Sequence, residues 1–158
     1  PDLWLSVPIH RQKLNTNIID IKICNDINWK KKHYKSIYQT YSKAKYFNQY
    51  KYLLDFYLQD WEYLYKLTRY STKKICKTLH IDTEFYYSED FNLKGNSTER
   101  LVQLIKELGG THYVSGLKAK NYIDESLFQD IKLEYIEYRT ENKFTVLDNI
   151  FNNGIEIL

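Results

Sequence analysis

The chain reads as an α/β protein: a three-layer-like, mostly parallel sheet in the C-terminal half, preceded by two N-terminal strands and a three-helix segment. Three observations predict this. Residues 3–9 and 18–24 alternate apolar and polar side chains, the period of a strand. Residues 29–79 carry aromatic and aliphatic side chains at three- and four-residue spacing, the period of helices. Beyond Asp82, strand-like and helix-like runs alternate, an order that implies parallel strands joined by right-handed crossovers.

Leu3 to Ile9 and Ile18 to Cys24 are expected to form a hairpin or two neighbouring strands, with Arg11 to Asn17 as the polar connection. Asn28 can cap a helix from Trp29, in which Trp29, His33, Ile37 and Tyr41 recur every four residues while Lys31 and Lys35 lie on another face. Phe47, Tyr50, Leu54 and Tyr57 mark a second helix, and Trp61 to Leu79 a third. Thr83 to Tyr87 is a β-branched and aromatic run, followed by a polar loop from Asn92 to Ser97. Asn96 and Glu99 form a capping pair for a helix carrying Leu101, Leu104, Ile105 and Leu108, which Gly109 and Gly110 end. Thr111 to Ser115 reads as a strand, Gly116 to Lys120 as a loop, Asp124 to Gln129 as a short helix and Ile131 to Tyr138 as a strand. A last helix covers Val146 to Phe151, before Asn153 and Gly154 stop it.

At 158 residues the chain amounts to a single domain that needs no disulfide or metal to build a core. It holds 16 Tyr, 7 Phe and 3 Trp against 5 Gly and 2 Pro, a composition of packed elements rather than linkers. Cys24 and Cys76 are far apart with no Cys-x-x-Cys or histidine partner, so zinc and redox motifs are absent and no metal site is expected. No apolar stretch is long enough to span a bilayer and no leader opens the chain, so a cytoplasmic protein without membrane insertion is expected. Methionine is absent and the chain opens at Pro1, which implies that its natural beginning is missing.

Charge divides the chain. Residues 1–80 hold 15 Lys or Arg against 6 Asp or Glu, whereas residues 81–158 hold 8 against 14. The basic half is a candidate surface for an anion, or the halves neutralise one another.

Three segments could carry chemistry. Ser115-Gly116-Leu117-Lys118-Ala119-Lys120 follows a strand of the expected parallel sheet, where such sheets bind ligands. Ser115 offers a hydroxyl, Gly116 lets backbone approach a ligand, and Lys118 and Lys120 can neutralise phosphate or carboxylate; an ordinary solvated loop has the same composition. The P-loop spacing is missing. Ser97-Thr98-Glu99-Arg100 opens a helix, where Arg100 adds a fork for an anion, although Glu99 is also explained as a cap partner. In Trp29-Lys30-Lys31-Lys32-His33, His33 is a candidate general acid or base, or else a packed histidine. The lysines interleaved with Tyr34, Tyr38 and Tyr41 could track a nucleic-acid backbone, but tyrosines at helical spacing suit packing and the overall charge of +3 is weak, so no nucleic-acid partner is expected. Hydrolase, zinc-protease and dinucleotide motifs are absent.

Seven short segments run in the order found in one family. Trp4-Leu5-Ser6-Val7-Pro8, Trp29 to His33, Tyr41-Ser42-Lys43-Ala44 with Tyr46-Phe47, Thr98-Glu99-Arg100-Leu101, Tyr113-Val114-Ser115-Gly116, Tyr122-Ile123-Asp124 and Phe151-Asn152-Asn153-Gly154 together resemble the WbqC-like protein family over nearly the whole chain. The resemblance implies a single domain over 1–158, bacterial, cytoplasmic, and active in O-antigen or other surface-polysaccharide biosynthesis. It further implies a transferase that modifies an activated amino sugar, with a nucleotide-sugar or another anionic small molecule as partner. A non-catalytic sugar- or partner-binding protein of the same pathway is the alternative, and an oligomer is compatible with either. It points to His33, Arg100, Ser115 and Lys120 without fixing their roles, and names no cofactor. This sequence departs from the family pattern by lacking an initial His-Gln-Pro segment, and by passing almost directly from Arg139–Lys143 to Phe144 where the family carries a longer loop.

Overall fold

The computed structural model describes residues 3–137 and 143–155. They divide into two compact units, one comprising Pro1–Asp82 with Asn142–Leu158 and the other Thr83–Glu141.

The first unit is helical. Helix α1 (Trp29–Tyr41) starts where Asn28 accepts the Lys31 N–H at 3.2 Å, and its four-residue stripe turns Trp29, His33 and Ile37 inward. The expected second helix splits into a single turn, α2 (Phe47–Tyr50), and a 3₁₀ run over Lys51–Leu58. The cause lies in the sequence: Phe47, Tyr50, Leu53 and Phe56 recur every third residue, which aligns them at three residues per turn. Helix α3 (Leu64–Thr78) buries Leu67 and ends where His80 takes φ 56°, with the Ile81 N–H returning to the Cys76 carbonyl at 2.9 Å. Trp61 lies before this helix, and its indole donates to the Phe56 carbonyl at 2.7 Å.

In the second unit, α4 (Ser97–Glu107) opens with the Asn96 N–H donating to the Glu99 carboxylate at 3.0 Å. Strands β1 (His112–Gly116) and β2 (Lys132–Ile136) pair in parallel, with Ser115 beside Tyr135 and Gly116 beside Ile136. Val102, Ile105, Phe128 and Ile131 form the core of this unit. Helix α5 (Val146–Asn153) returns to the first unit, where Leu147, Ile150 and Phe151 complete a core with Ile37, Phe47, Tyr50, Leu53 and Leu54. Gly154 ends it at φ 80°, ψ −161°, a conformation that only glycine adopts without strain, and a β-carbon there would meet the Tyr46 ring at 3.3 Å.

The predicted architecture is therefore corrected. Helices hold about half the described residues, the sheet among them has two strands, and no three-layer arrangement forms. The two N-terminal strands are not present. Ile9 and Ile23 make one isolated antiparallel bridge, with the His10 N–H to Lys22 at 3.1 Å and the Cys24 N–H to Pro8 at 2.9 Å. Pro8 has no N–H to extend the ladder, and Ile18–Asp20 winds into a 3₁₀ turn instead. Thr83–Tyr87 does not form a strand: Thr83 to Tyr86 are exposed, so β propensity has no apolar surface to cover. The short helix after Asp124 is a single 3₁₀ turn, Glu125–Leu127. Tyr138, expected to end the last strand, and the 139–142 part of the shortened loop lie outside the described residues.

Candidate functional site

The carboxyl end of the β1–β2 pair gathers four of the six residues expected from sequence. Alternation along β1 places Tyr113 and Ser115 half-buried on one face, beside Leu133 and Tyr135 of β2. Gly116 then leads into a 3₁₀ turn, Leu117–Asn121, anchored by Ala119 at 3% exposure. Lys118 and Lys120 flank this anchor and are exposed. The Lys120 ammonium sits 4.9 Å from the centre of the Tyr135 ring. Burial, and second the Glu125 carboxylate, push the Tyr135 phenol above its ordinary pKa, so it stays a neutral hydroxyl. A side chain built on Gly116 would meet nothing within 4 Å, so the space beside it is open to a ligand.

Arg100 belongs to the same unit, on the first turn of α4, and is exposed. Its neighbours are committed to structure: Thr98, 5% exposed, accepts the Asp124 N–H at 3.2 Å, and Glu99 holds the Asn96 N–H. A recess of about 530 Å³ lies along α4, bounded by Glu99, Val102, Gln103, Lys106, Glu107, Leu127 and Gln129. None of the predicted site residues lines it, and its mixed acid, lysine and amide rim converges on no single chemistry.

His33 lies in the first unit and is 8% exposed. Trp29 and Tyr57 meet its ring edge-on at 5.3 and 5.8 Å, and Trp29 meets Tyr57 at 6.0 Å. The Trp29 indole donates to Asn25 at 3.2 Å, which fixes one wall of this cage. Burial lowers the His33 pKa below 6.5, opposed by a hydrogen bond with the Ser6 backbone, so the imidazole is neutral at pH 7 and able to accept a proton. An imidazole whose folded pKa is depressed contributes stability in full above about 6.5 and loses it as pH falls through the folded value. The thermal midpoint is therefore expected to drop on acidification below 6.5. His33→Phe, which keeps the aromatic contacts, should flatten that limb; an unchanged slope would place the sensitive group elsewhere.

The lysine-rich stretch is partly engaged. Lys30 donates to the Gln59 carbonyl at 2.8 Å and pairs with Asp60 at 2.6 Å. Tyr34 stacks on Tyr38 at 6.4 Å, and Tyr41 donates to Asp148 at 2.9 Å. Tyr34 and Tyr41 are half-buried, and Tyr38 is 50% exposed.

Sequence reasoning missed Tyr135 and Tyr57. Tyr135 sits in an alternating strand that reads as core, and only the register shows it beside Ser115. Tyr57 was visible as a helical-face residue, but nothing local tied it to His33. Among the described residues no group of three or more His, Cys, Asp or Glu is placed to hold a metal. Among them, too, no helix is long and apolar enough to cross a membrane.

The segments that carry the family resemblance also meet in space within each unit. Ser6 reaches His33, the Tyr46 N–H donates to the Phe151 carbonyl at 2.9 Å, and Thr98 binds Asp124. The protein is thus a mainly helical one with a small parallel strand pair whose end carries two lysines. It belongs to the WbqC-like protein family, which it matches over residues 1–158. An uncharacterized protein of Mycobacterium tuberculosis, Rv1507c, is 31% identical over 173 residues, covering 97% of this chain and 73% of its own length. No solved structure matches the chain.

Proposed function

We propose that the protein is a cytoplasmic enzyme of bacterial surface-polysaccharide (O-antigen) synthesis, a transferase that modifies an activated amino sugar. The observation that carries this reading is the grouping of Ser115, Gly116, Lys118 and Lys120 at the carboxyl end of the parallel pair, with open space beside Gly116. Lys118 and Lys120 supply point charges for a phosphate or diphosphate, and Ser115 adds a hydroxyl. The Tyr135 ring holds Lys120 in place, so less side-chain freedom is lost when an anion binds. Arg100 is assigned a second anionic group of the substrate. His33, neutral at pH 7, is assigned the proton-accepting part in its own unit. Family membership supports the pathway, and the chemistry of the lysines supports an anionic substrate.

Thermal unfolding of the chain with a panel of nucleotide sugars tests this. A ligand at about 100 times its dissociation constant stabilises by about 2.7 kcal/mol, a shift of several degrees. The Lys118→Ala/Lys120→Ala double variant should lose that shift while keeping its midpoint without ligand. A panel without any effect, or a shift that survives in the double variant, counts against the reading.

The exposed Tyr122, at 68%, favours the second reading, a non-catalytic sugar- or partner-binding protein of the same pathway. It predicts binding without turnover, and binding that Tyr122→Ala weakens more than the lysine variant does.

A further inference from the structure

The loop between His10 and Lys22 breaks the usual rule for loop tips. Its base is closed by the His10 N–H to the Lys22 carbonyl at 3.1 Å, next to the Ile9–Ile23 bridge. At its tip Thr16 returns to the Lys13 carbonyl through both its N–H, at 3.2 Å, and its hydroxyl, at 2.9 Å. Asn15 takes the left-handed conformation at φ 73°. This ordered turn presents Leu14, which is 94% exposed, where polar residues are the norm. Ile18, 71% exposed, opens the 3₁₀ turn that follows, and Ile19 is also exposed. Arg11 and Lys13 stand exposed beside them, and the one carboxylate of the loop, Asp20, is approached by the Asn17 amide at 3.4 Å.

We propose that this loop seats the protein on an anionic membrane surface. Leu14 and Ile18 enter the boundary between headgroups and acyl chains, while Arg11 and Lys13 pair with lipid phosphates. Paired aliphatic and cationic residues on one exposed turn are what interfacial binding needs, because each supplies one of its two driving forces. Charge complementarity selects this occupant: residues 1–80 carry 15 Lys or Arg against 6 Asp or Glu, so an anionic surface is attracted and a neutral one is not. The association proposed is with the membrane surface; no helix among the described residues is long and apolar enough to cross a membrane. The proposal stands on the first unit alone and does not depend on the phosphate site.

Vesicle co-flotation of the whole chain decides it, using phosphatidylcholine alone and phosphatidylcholine mixed with phosphatidylglycerol. Binding is expected to the mixed vesicles only, and to weaken as salt rises. Leu14→Ser/Ile18→Ser should lower partitioning at least about tenfold, and Arg11→Ala/Lys13→Ala several-fold, each with an unchanged thermal midpoint because all four side chains are exposed. Absence of flotation, equal binding to both vesicles, or binding untouched by the aliphatic double variant overturns the proposal. So does a dimer in solution that Leu14→Ser/Ile18→Ser dissolves without any vesicle binding, which would assign the loop to a second copy.

Discussion

Phe151→Ala is expected to remove about 3–5 kcal/mol from the first unit, a large share of the roughly 5–15 kcal/mol that holds an ordinary domain together. The phenyl ring is wholly buried. It meets Phe47 edge-on at 5.1 Å and Tyr41 at 5.3 Å, so alanine leaves a cavity walled by rings that are themselves fixed. Tyr41 is held by Asp148, and the Tyr46 N–H is bound to the Phe151 carbonyl, which limits collapse into the space. Urea denaturation followed by far-ultraviolet circular dichroism should show a lowered midpoint with an unchanged slope. Phe151→Leu, which keeps most of the volume, should lose much less. A loss below about 1 kcal/mol in the alanine variant would show that the stability of this unit lies elsewhere.

The second large effect is expected in alkali. Burial pushes the Tyr57 phenol up to about 12, from an ordinary value of 10.0. Tyr41 is likewise raised to about 12, by burial first and then by the hydrogen bond and charge of Asp148. A folded state that holds these protons more tightly is fully stabilised below pH 10, where the unfolded phenols also stay protonated, and loses that contribution as pH rises toward 12. For Tyr57 the difference between the two values caps the loss at about 3 kcal/mol, and partial exposure delivers less. Absorbance at the phenolate band should show a late fraction rising together with loss of ellipticity. Tyr57→Phe should remove part of that late fraction and extend the stable range upward. Ionisation of all tyrosines in one step near 10, with the fold intact, would contradict the enclosure of these rings.

Local signals in the sequence specify the helices well. The four-residue stripe from Trp29 to Tyr41, the Asn28 cap and the Asn96–Glu99 pair all depend on neighbours within one turn, and they form as read. Alternation proved a weaker guide, because a strand needs a partner and a surface to cover. The 3–9 and 18–24 runs have the period of strands, but Pro8 and the turn at Ile18 leave a single bridge between them. Thr83 to Tyr87 has the composition of a strand, but its first four residues are exposed and cover no core. The split of the second helix was present in the three-residue spacing of Phe47, Tyr50, Leu53 and Phe56, which the four-residue positions Leu54 and Tyr57 masked. At the candidate site, a strand followed by glycine and two lysines was legible because it is contiguous. The placing of Lys120 over Tyr135 was not, since it depends on which strand lies beside β1 and in what register. The cage around His33 was half legible: Trp29 is one turn away on the same helix, whereas Tyr57 and the Ser6 backbone arrive from distant parts of the chain.

The closure of the first unit by α5 bears on how the chain emerges during synthesis. Tyr41 waits for Asp148, which lies 107 positions later, and Phe47 waits for Phe151. Until α5 leaves the ribosome, Phe47, Leu53 and Leu54 have no cover from Leu147, Ile150 and Phe151, while Val102, Ile105, Phe128 and Ile131 of the second unit can already close their own contacts. The second unit can therefore close as it is made, whereas the 47–54 part of the first unit stays uncovered until α5 has emerged.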